Sequence, residues 1–418
     1  MTRSNLLSSL EVLAVVFVML AVSGTTTYGA DWPNWRGPEH NGISKETDWS
    51  TQWPAEGPKV LWRASVGTGF SSFAVSNGRV YTMGNTAKKG DKKQDHKDVV
   101  YCFDAVTGKT IWHQSYPSEL APKQYEGGPN ATPTVDGKYI YTWGKQTDLH
   151  CFNAVTGEVV WAKNLKAEYG LKMAKHGLGC SPLIQGDLLI INGIEVTVAL
   201  DKTSKGDLIW KTPTGPGSQG AGYSTPVPYT LNGENCIAVF QAEGSLGIRV
   251  SDGRVLWNFP FTTQYNLNVA DPVVIGDKIF LSSGYGSGCV LITMDGEKPS
   301  QLWKNKNMRN HFNSSIFYNG CIYGFDESIL TCLDSKDGST KWTEKSLGKG
   351  SLMVAGDKLV ILGDRGKLVI AETSSEAYKP LAEAQILKGK CWTTPILSNG
   401  RIYARNDRGD VICLDVSK

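Results

Sequence analysis

The stretches CFDAVTGKTIW (residues 102–112) and CFNAVTGEVVW (residues 151–161) differ at four of eleven positions and stand 49 residues apart. Each ends on a tryptophan preceded by two β-branched or aliphatic residues. Between Cys and Trp lies turn chemistry: Asp104 or Asn153 can accept backbone N–H bonds, and Gly108 or Gly157 can supply a positive φ. The motif therefore has a complete structural explanation and needs no catalytic one.

Tryptophans of the same kind recur at 62, 112, 161, 210, 257, 303 and 342. A period of 39–50 residues is the signature of a repeat architecture. Between them the pattern is constant. A short strand opens with a small residue and Pro, as in ATPTV (131–135), CSPLI (180–184), STPVP (224–228), ADPVV (270–274) and TTPIL (393–397). Pro is tolerated at a strand's first residue. A Gly-containing hairpin, a third strand, a turn and the Trp strand follow, giving four short antiparallel strands per unit. Eight first strands can be counted, with SSFAV (71–75), NSSIF (313–317) and GSLMV (350–354) completing the set. The seventh unit lacks a Trp and ends in PLAEAQIL. The eighth stops one strand short at DVICLDV (410–416), while VLWRASV (60–66) precedes the first unit with a fourth-strand pattern. Pairing of the two ends closes a ring. The expected fold is all-β: an eight-bladed β-propeller of four-stranded antiparallel blades, closed by the N-terminal strand entering the last blade. Trp62, Trp112, Trp161, Trp210, Trp257, Trp303 and Trp342 are expected to pack between blades.

The bulk composition agrees. The 418 residues carry 46 Gly and 13 Trp, a net charge of +3 and six His. That charge is too mild for a nucleic-acid or membrane-surface partner, and a monomer is expected. Nine Cys include no adjacent pair and no CxxC. Cys102, Cys151, Cys332 and Cys413 hold equivalent places in different repeats, too far apart to bridge, and read as small buried hydrophobes. Residues 1–30, with Arg3 ahead of VLAVVFVMLAV (12–22), have the outline of a secretory signal peptide. Its removal leaves no membrane span and places the protein in the periplasm or outside the cell. Residues 31–58 are expected to form an extended arm packed on the wall of a propeller spanning 59–418.

The D/N-A-x-T-G-K/E-x-x-W units at 104–112 and 153–161, with their degenerate copies to Trp342, resemble the PQQ-like, quinoprotein-alcohol-dehydrogenase-like propeller family. DWPNWRGPEHNGIS (31–44), GYGSG (284–288) and KNMRNHFNSS (306–315) are similar to a secreted subgroup found in planctomycete-type bacteria. The resemblance implies one of two functions. Full quinoprotein dehydrogenases hold pyrroloquinoline quinone (PQQ) and Ca²⁺ in the central funnel and use an Asp base; this chain lacks their length, insertions and vicinal disulfide. The propeller lipoprotein of the outer-membrane β-barrel assembly machine binds partners through loops and does no chemistry; its lipobox is missing here.

Function is expected in the segments that fail to repeat, the loops from each blade's last strand to the next blade's first. Asn130, Asn268, Asp271, Asn310 and Asn313 offer oxygens to a hard cation, but only one is a carboxylate, so no metal site is assigned. His176 and His311 are candidates for acid–base work with Asp271. Arg309 and Lys349 suit an anion or a quinone carboxylate. Tyr223 and Trp392 suit stacking on a flat ligand. The reading is an exported scaffold that binds a small polar ligand or an envelope protein, with a PQQ- and Ca²⁺-dependent alcohol dehydrogenase as the alternative.

Overall fold

A computed structural model describes residues 31–418 apart from 89–90, 122–124, 175, 216–221 and 295–297. The expected signal peptide at 1–30 lies outside the described residues. Eight antiparallel sheets follow one another along the chain, seven of four strands and one of five. Blade 1 is Ala74–Ser76, Arg79–Asn85, Lys97–Asp104 and Thr110–Pro117. Blades 2 to 7 span 134–164, 183–213, 227–260, 273–305, 316–344 and 351–385. Blade 8 joins Ile396–Ser398, Arg401–Arg405 and Asp410–Asp415 to Lys59–Ser65, so the N-terminal strand closes the ring. Blade 7 forms its fourth strand, Pro380–Gln385, without a tryptophan. The sole α-helix among the described residues is Leu165–Tyr169, and none is long and apolar enough to cross a membrane.

The repeated motif builds the seams. Trp62, Trp112 and Trp210 donate their indole N–H to Ala105 O, Ala154 O and Val250 O in the next blade, at 2.8–3.1 Å. Trp303 and Trp342 do the same to Ser335 O and Ser374 O. Trp257 departs from this and donates to the Tyr229 hydroxyl of its own blade at 2.7 Å, while packing in a cluster with Ile279, Leu281 and Val290 of blade 5. Trp161 lies against Gly206. Across the strand pair, Trp62, Trp112, Trp161 and Trp342 face Cys413, Cys102, Cys151 and Cys332. A small side chain there leaves room for the indole. All nine cysteines are buried free thiols.

The N-terminal arm crosses the ring at the end opposite the inter-blade loops. Trp32 bridges Val75 of blade 1, and Val135 N–H of blade 2 donates to Pro33 O. Ile43–Ser44 then adds a parallel fifth strand to blade 7, and Glu46 accepts from the Asn399 and Gly400 amides of blade 8. Between these anchors Trp35 and Arg36 enter the axial channel.

Candidate functional site

Strand parity places the site. The first strand of each blade runs away from the inter-blade loops, the second returns, and the turn between second and third strands opens on the same face as those loops. Segments from seven of the eight inter-blade connections and from two such turns converge on one axial cavity of about 170 Å³. That is far more than the roughly 10–15 Å³ needed by one water.

The floor is the arm. Trp35 borders both this cavity and a smaller void beneath it. Its indole N–H donates to Asp271 Oδ2 at 2.6 Å. Asp271 Oδ2 also accepts from the Ser314 hydroxyl at 3.0 Å, and Oδ1 from Thr225 N–H at 2.7 Å. Burial raises the Asp271 carboxyl, and the nearby Arg36 guanidinium opposes that rise. Arg36 is itself buried and donates to Ser315 O at 2.8 Å and Asn41 O at 3.0 Å. Asp271 is thus a structural anion that ties three segments together, with its lone pairs engaged by protein donors. A free general base needs the opposite.

The walls differ in their cation and ring content. Blades 2 to 4 supply Asn130, Lys145, His176, Ser181 and Tyr223, while blades 5 to 8 and the lead-in to blade 1 supply the rings of Tyr285, Phe312, Trp392 and Phe70 together with the polar Asp271, Asn313 and Ser314. The rings form a connected collar: Phe70–Trp392 at 5.8 Å, Trp392–Phe312 at 4.5 Å, Phe312–His311 at 3.8 Å and His311–Tyr285 at 4.4 Å. Tyr125 spans the division, 5.8 Å from His176, 5.6 Å from Phe312 and 5.5 Å from Trp392.

Lys145 was not singled out from the sequence. It sits in the turn between the second and third strands of blade 2 and is 4% exposed. Its ammonium donates to His176 O at 3.2 Å. Burial pushes it down to about 8, against the opposing pull of Asp98 and Glu126. Each of those two carboxylates has one oxygen engaged elsewhere. Asp98 accepts from Asn85 at 2.7 Å and is itself pushed up to about 6 by burial. Glu126 pairs with Lys390 at 2.5 Å.

Of the sequence-derived candidates, Asn130, His176, Tyr223, Asp271, Asn313 and Trp392 line the cavity. The Tyr223 hydroxyl accepts His176 N–H at 3.4 Å, and burial pushes it up to about 12. Asn313 donates to Gly350 O at 3.0 Å. The others are held outside. Asn268 is fully buried and donates to Gln241 O. Asn310 donates to Phe325 O and accepts from Ser315 Oγ. Arg309 forms a two-pronged pair with Asp326 at 2.5 and 2.6 Å, which occupies the fork expected to hold an anion. Lys349 meets His311 Nδ1 and Glu327. Burial, then the Lys349 charge, holds His311 down at about 4. Of the expected grouping, His176 and Asp271 line the cavity, and His311 stands in the collar against Phe312 and Tyr285, with Lys349 and Glu327.

Residues 96–344, more than half of the chain, match the PQQ_2 family, described as outer membrane protein assembly factor BamB. No curated protein sequence matches. BamB from Moraxella catarrhalis superposes with a TM-score of 0.64 at 14% identity, covering 86% of this chain and 99% of that one. The quinohemoprotein alcohol dehydrogenase of Comamonas testosteroni gives 0.67 at 12% identity over 93% and 80% of the two chains. A europium-containing methanol dehydrogenase gives 0.64 at 11% identity over 92% and 89%. At these identities the likeness is one of fold.

Proposed function

The chain belongs to the PQQ_2 propeller family, and from that premise we propose that it is an exported binding scaffold whose axial cavity holds a small, flat molecule. One observation carries the reading: seven aromatic rings, Trp35, Phe70, Tyr125, Tyr223, Tyr285, Phe312 and Trp392, line a single axial cavity that also presents Asn130 and Lys145. Small-molecule sites combine apolar walls with a few convergent polar groups in this way. Export rests on the charged and apolar pattern of residues 1–30.

The alternative, a quinone- and calcium-dependent dehydrogenase, draws support from the fold of two solved neighbours. The donor set of this cavity fits it poorly. A hard cation takes six to eight oxygens. The lining offers one carboxylate, Asp271, whose oxygens already accept from Trp35, Ser314 and Thr225 and face Arg36. Among the described residues no three His, Cys, Asp or Glu side chains lie together as a cation site.

Both readings meet in one experiment. The purified protein is titrated with 4-fluorobenzamide, a flat neutral probe, and separately with pyrroloquinoline quinone plus Ca²⁺. Probe binding is followed by ¹⁹F NMR and quinone binding by absorbance with dye-linked alcohol oxidation. The scaffold reading expects saturable binding of the probe, lost in Trp392→Ala, without turnover. Stoichiometric quinone binding with alcohol oxidation overturns it.

A further inference from the structure

We infer that the cavity selects a one-ring aromatic monocarboxylate, its ring held by the Phe312–Trp392 wall and its carboxylate taken by the Lys145 ammonium with help from the Asn130 amide. The inference rests on the reading of the cavity as a small-molecule site and adds the chemical class of the ligand.

Three observations lead to it. The first is the segregation of the lining. The lining cation, Lys145, stands with Asn130 on the side of blades 2 to 4, and the Phe312, Trp392 and Tyr285 rings stand on the other, beside Asn313 and Ser314 and with Lys349 and Lys390 over the Phe312 and Trp392 rings. A ligand that satisfies both sides has one polar end and one flat apolar body.

The second is charge balance. Lys145 is a buried cation whose ammonium has three N–H donors, one of them given to His176 O. The carboxylates that influence it form no ion pair with it, Asp98 giving one oxygen to Asn85 and Glu126 one to Lys390. The one carboxylate in the lining, Asp271, answers to Trp35, Thr225, Ser314 and Arg36. A buried charge is costly unless it is paired, and an anionic ligand completes the pair. One such cation in the lining calls for one carboxylate. The depressed ionisation of Lys145, down to about 8, agrees with a cation short of a counter-charge.

The third is size. An apolar cavity of about 150 Å³ accommodates benzene, and this one measures about 170 Å³. A single ring with a small anionic substituent matches that space.

The test compares 4-fluorobenzoate, its neutral isostere 4-fluorobenzamide and the cationic 4-fluorobenzylamine by ¹⁹F NMR titration of the full chain. The expected order is acid, then amide, then amine, with acid at least tenfold tighter than amide. Lys145→Met is expected to bring the acid down to the level of the amide, while Lys145→Arg keeps the preference. Melting curves confirm that the variants fold, and the acid-to-amide ratio in the parent protein needs no variant at all. Equal binding of acid and amide by the parent overturns the inference and leaves the small-molecule reading intact. A preference that survives Lys145→Met also overturns it. Binding of none of the three probes overturns both.

Discussion

Alanine at Gly157 and at Gly137 separates two demands that the repeated turn makes on one residue. Both glycines belong to blade 2 and both have a positive φ, +77° and +57°. A Cβ at Gly137 meets nothing within 4 Å, whereas at Gly157 it falls 2.6 Å from Trp112 Cδ2 and 2.8 Å from Cε3. The ring of Trp112 has nowhere to go. It is 8% exposed, is hydrogen-bonded to Ala154 O at 3.1 Å, and packs against Tyr81 and Phe152. The left-handed backbone alone costs an alanine about 1–2 kcal/mol. Overpacking against a fixed side chain adds about 1–3 kcal/mol. Gly137→Ala is therefore expected to lose ~1–2 kcal/mol and Gly157→Ala ~2–5 kcal/mol, the sum of the two terms. Urea unfolding followed by far-UV circular dichroism, with matched slopes, reads the difference. A cycle with Trp112→Phe isolates the clash, with an expected coupling of at least about 1 kcal/mol between the two sites. Equal losses at Gly137 and Gly157 would show that the glycine serves backbone geometry alone and that the indole does not rest on it.

Other regions give sharp tests. Arg405 is fully buried at the closing seam and donates to Ser71 O, Met83 O and Gly67 O at 2.6–3.1 Å, with burial pushing it down to about 10. Arg405→Met strands carbonyls of the blade 1 segment and is expected to cost about 2–4 kcal/mol, read as a lower melting temperature; an unchanged melt refutes the seam role. Asp271→Asn replaces an acceptor with a donor facing Trp35 and Ser314 and strips Arg36 of its neighbouring charge. The arm is then expected to loosen, with faster proteolysis within 31–42; an unchanged digestion pattern refutes it. Burial holds His150 down at about 4, below the ordinary 6.5, so between these values the unfolded chain binds a proton that the folded one refuses. Its contribution is present above pH 6.5 and is lost as pH falls towards 4, an upper bound of about 3 kcal/mol. His150→Phe is expected to flatten stability against pH in that window, and an unaltered slope refutes the assignment.

The ring was legible in the sequence because its determinants repeat. An indole, a small residue across the strand and a turn glycine meet at 112, 102 and 157 and again at 62, 413 and 108. The cavity-lining Asn130, His176, Tyr223, Asp271, Asn313 and Trp392 were legible for the opposite reason. They fall in loops that break the repeat and that topology must deliver to one face. The roles of Arg309 and Lys349 were not legible, since their partners Asp326 and Glu327 occupy a neighbouring turn whose approach depends on blade geometry. Nor was that of Trp35, whose acceptor Asp271 lies 236 positions away.

Lys145 is the instructive omission. In GKQTD (144–148) it looks like any solvated hairpin lysine, yet the stem of its side chain packs against Gly177 of the following loop, where a Cβ would lie 2.7 Å from Lys145 Cδ. A signal for it exists in strand parity. If the first strand leaves the loop face and the second returns, the tip between second and third strands must reach that face as surely as the inter-blade loops do. The tips of blades 2 and 5 carry Lys145 and Tyr285, and both line the cavity. In a propeller the equivalent positions are related by near-symmetry about the axis, so conserved repeat residues can only build a symmetric lining. A site with a cationic side and an aromatic side requires positions where blades differ, and the tips meet that requirement along with the loops. The segregation of Lys145 from Phe312 and Trp392 is therefore a departure from the ring's symmetry at the points where the fold leaves residue choice free, and that freedom is what makes a directional ligand the fitting occupant.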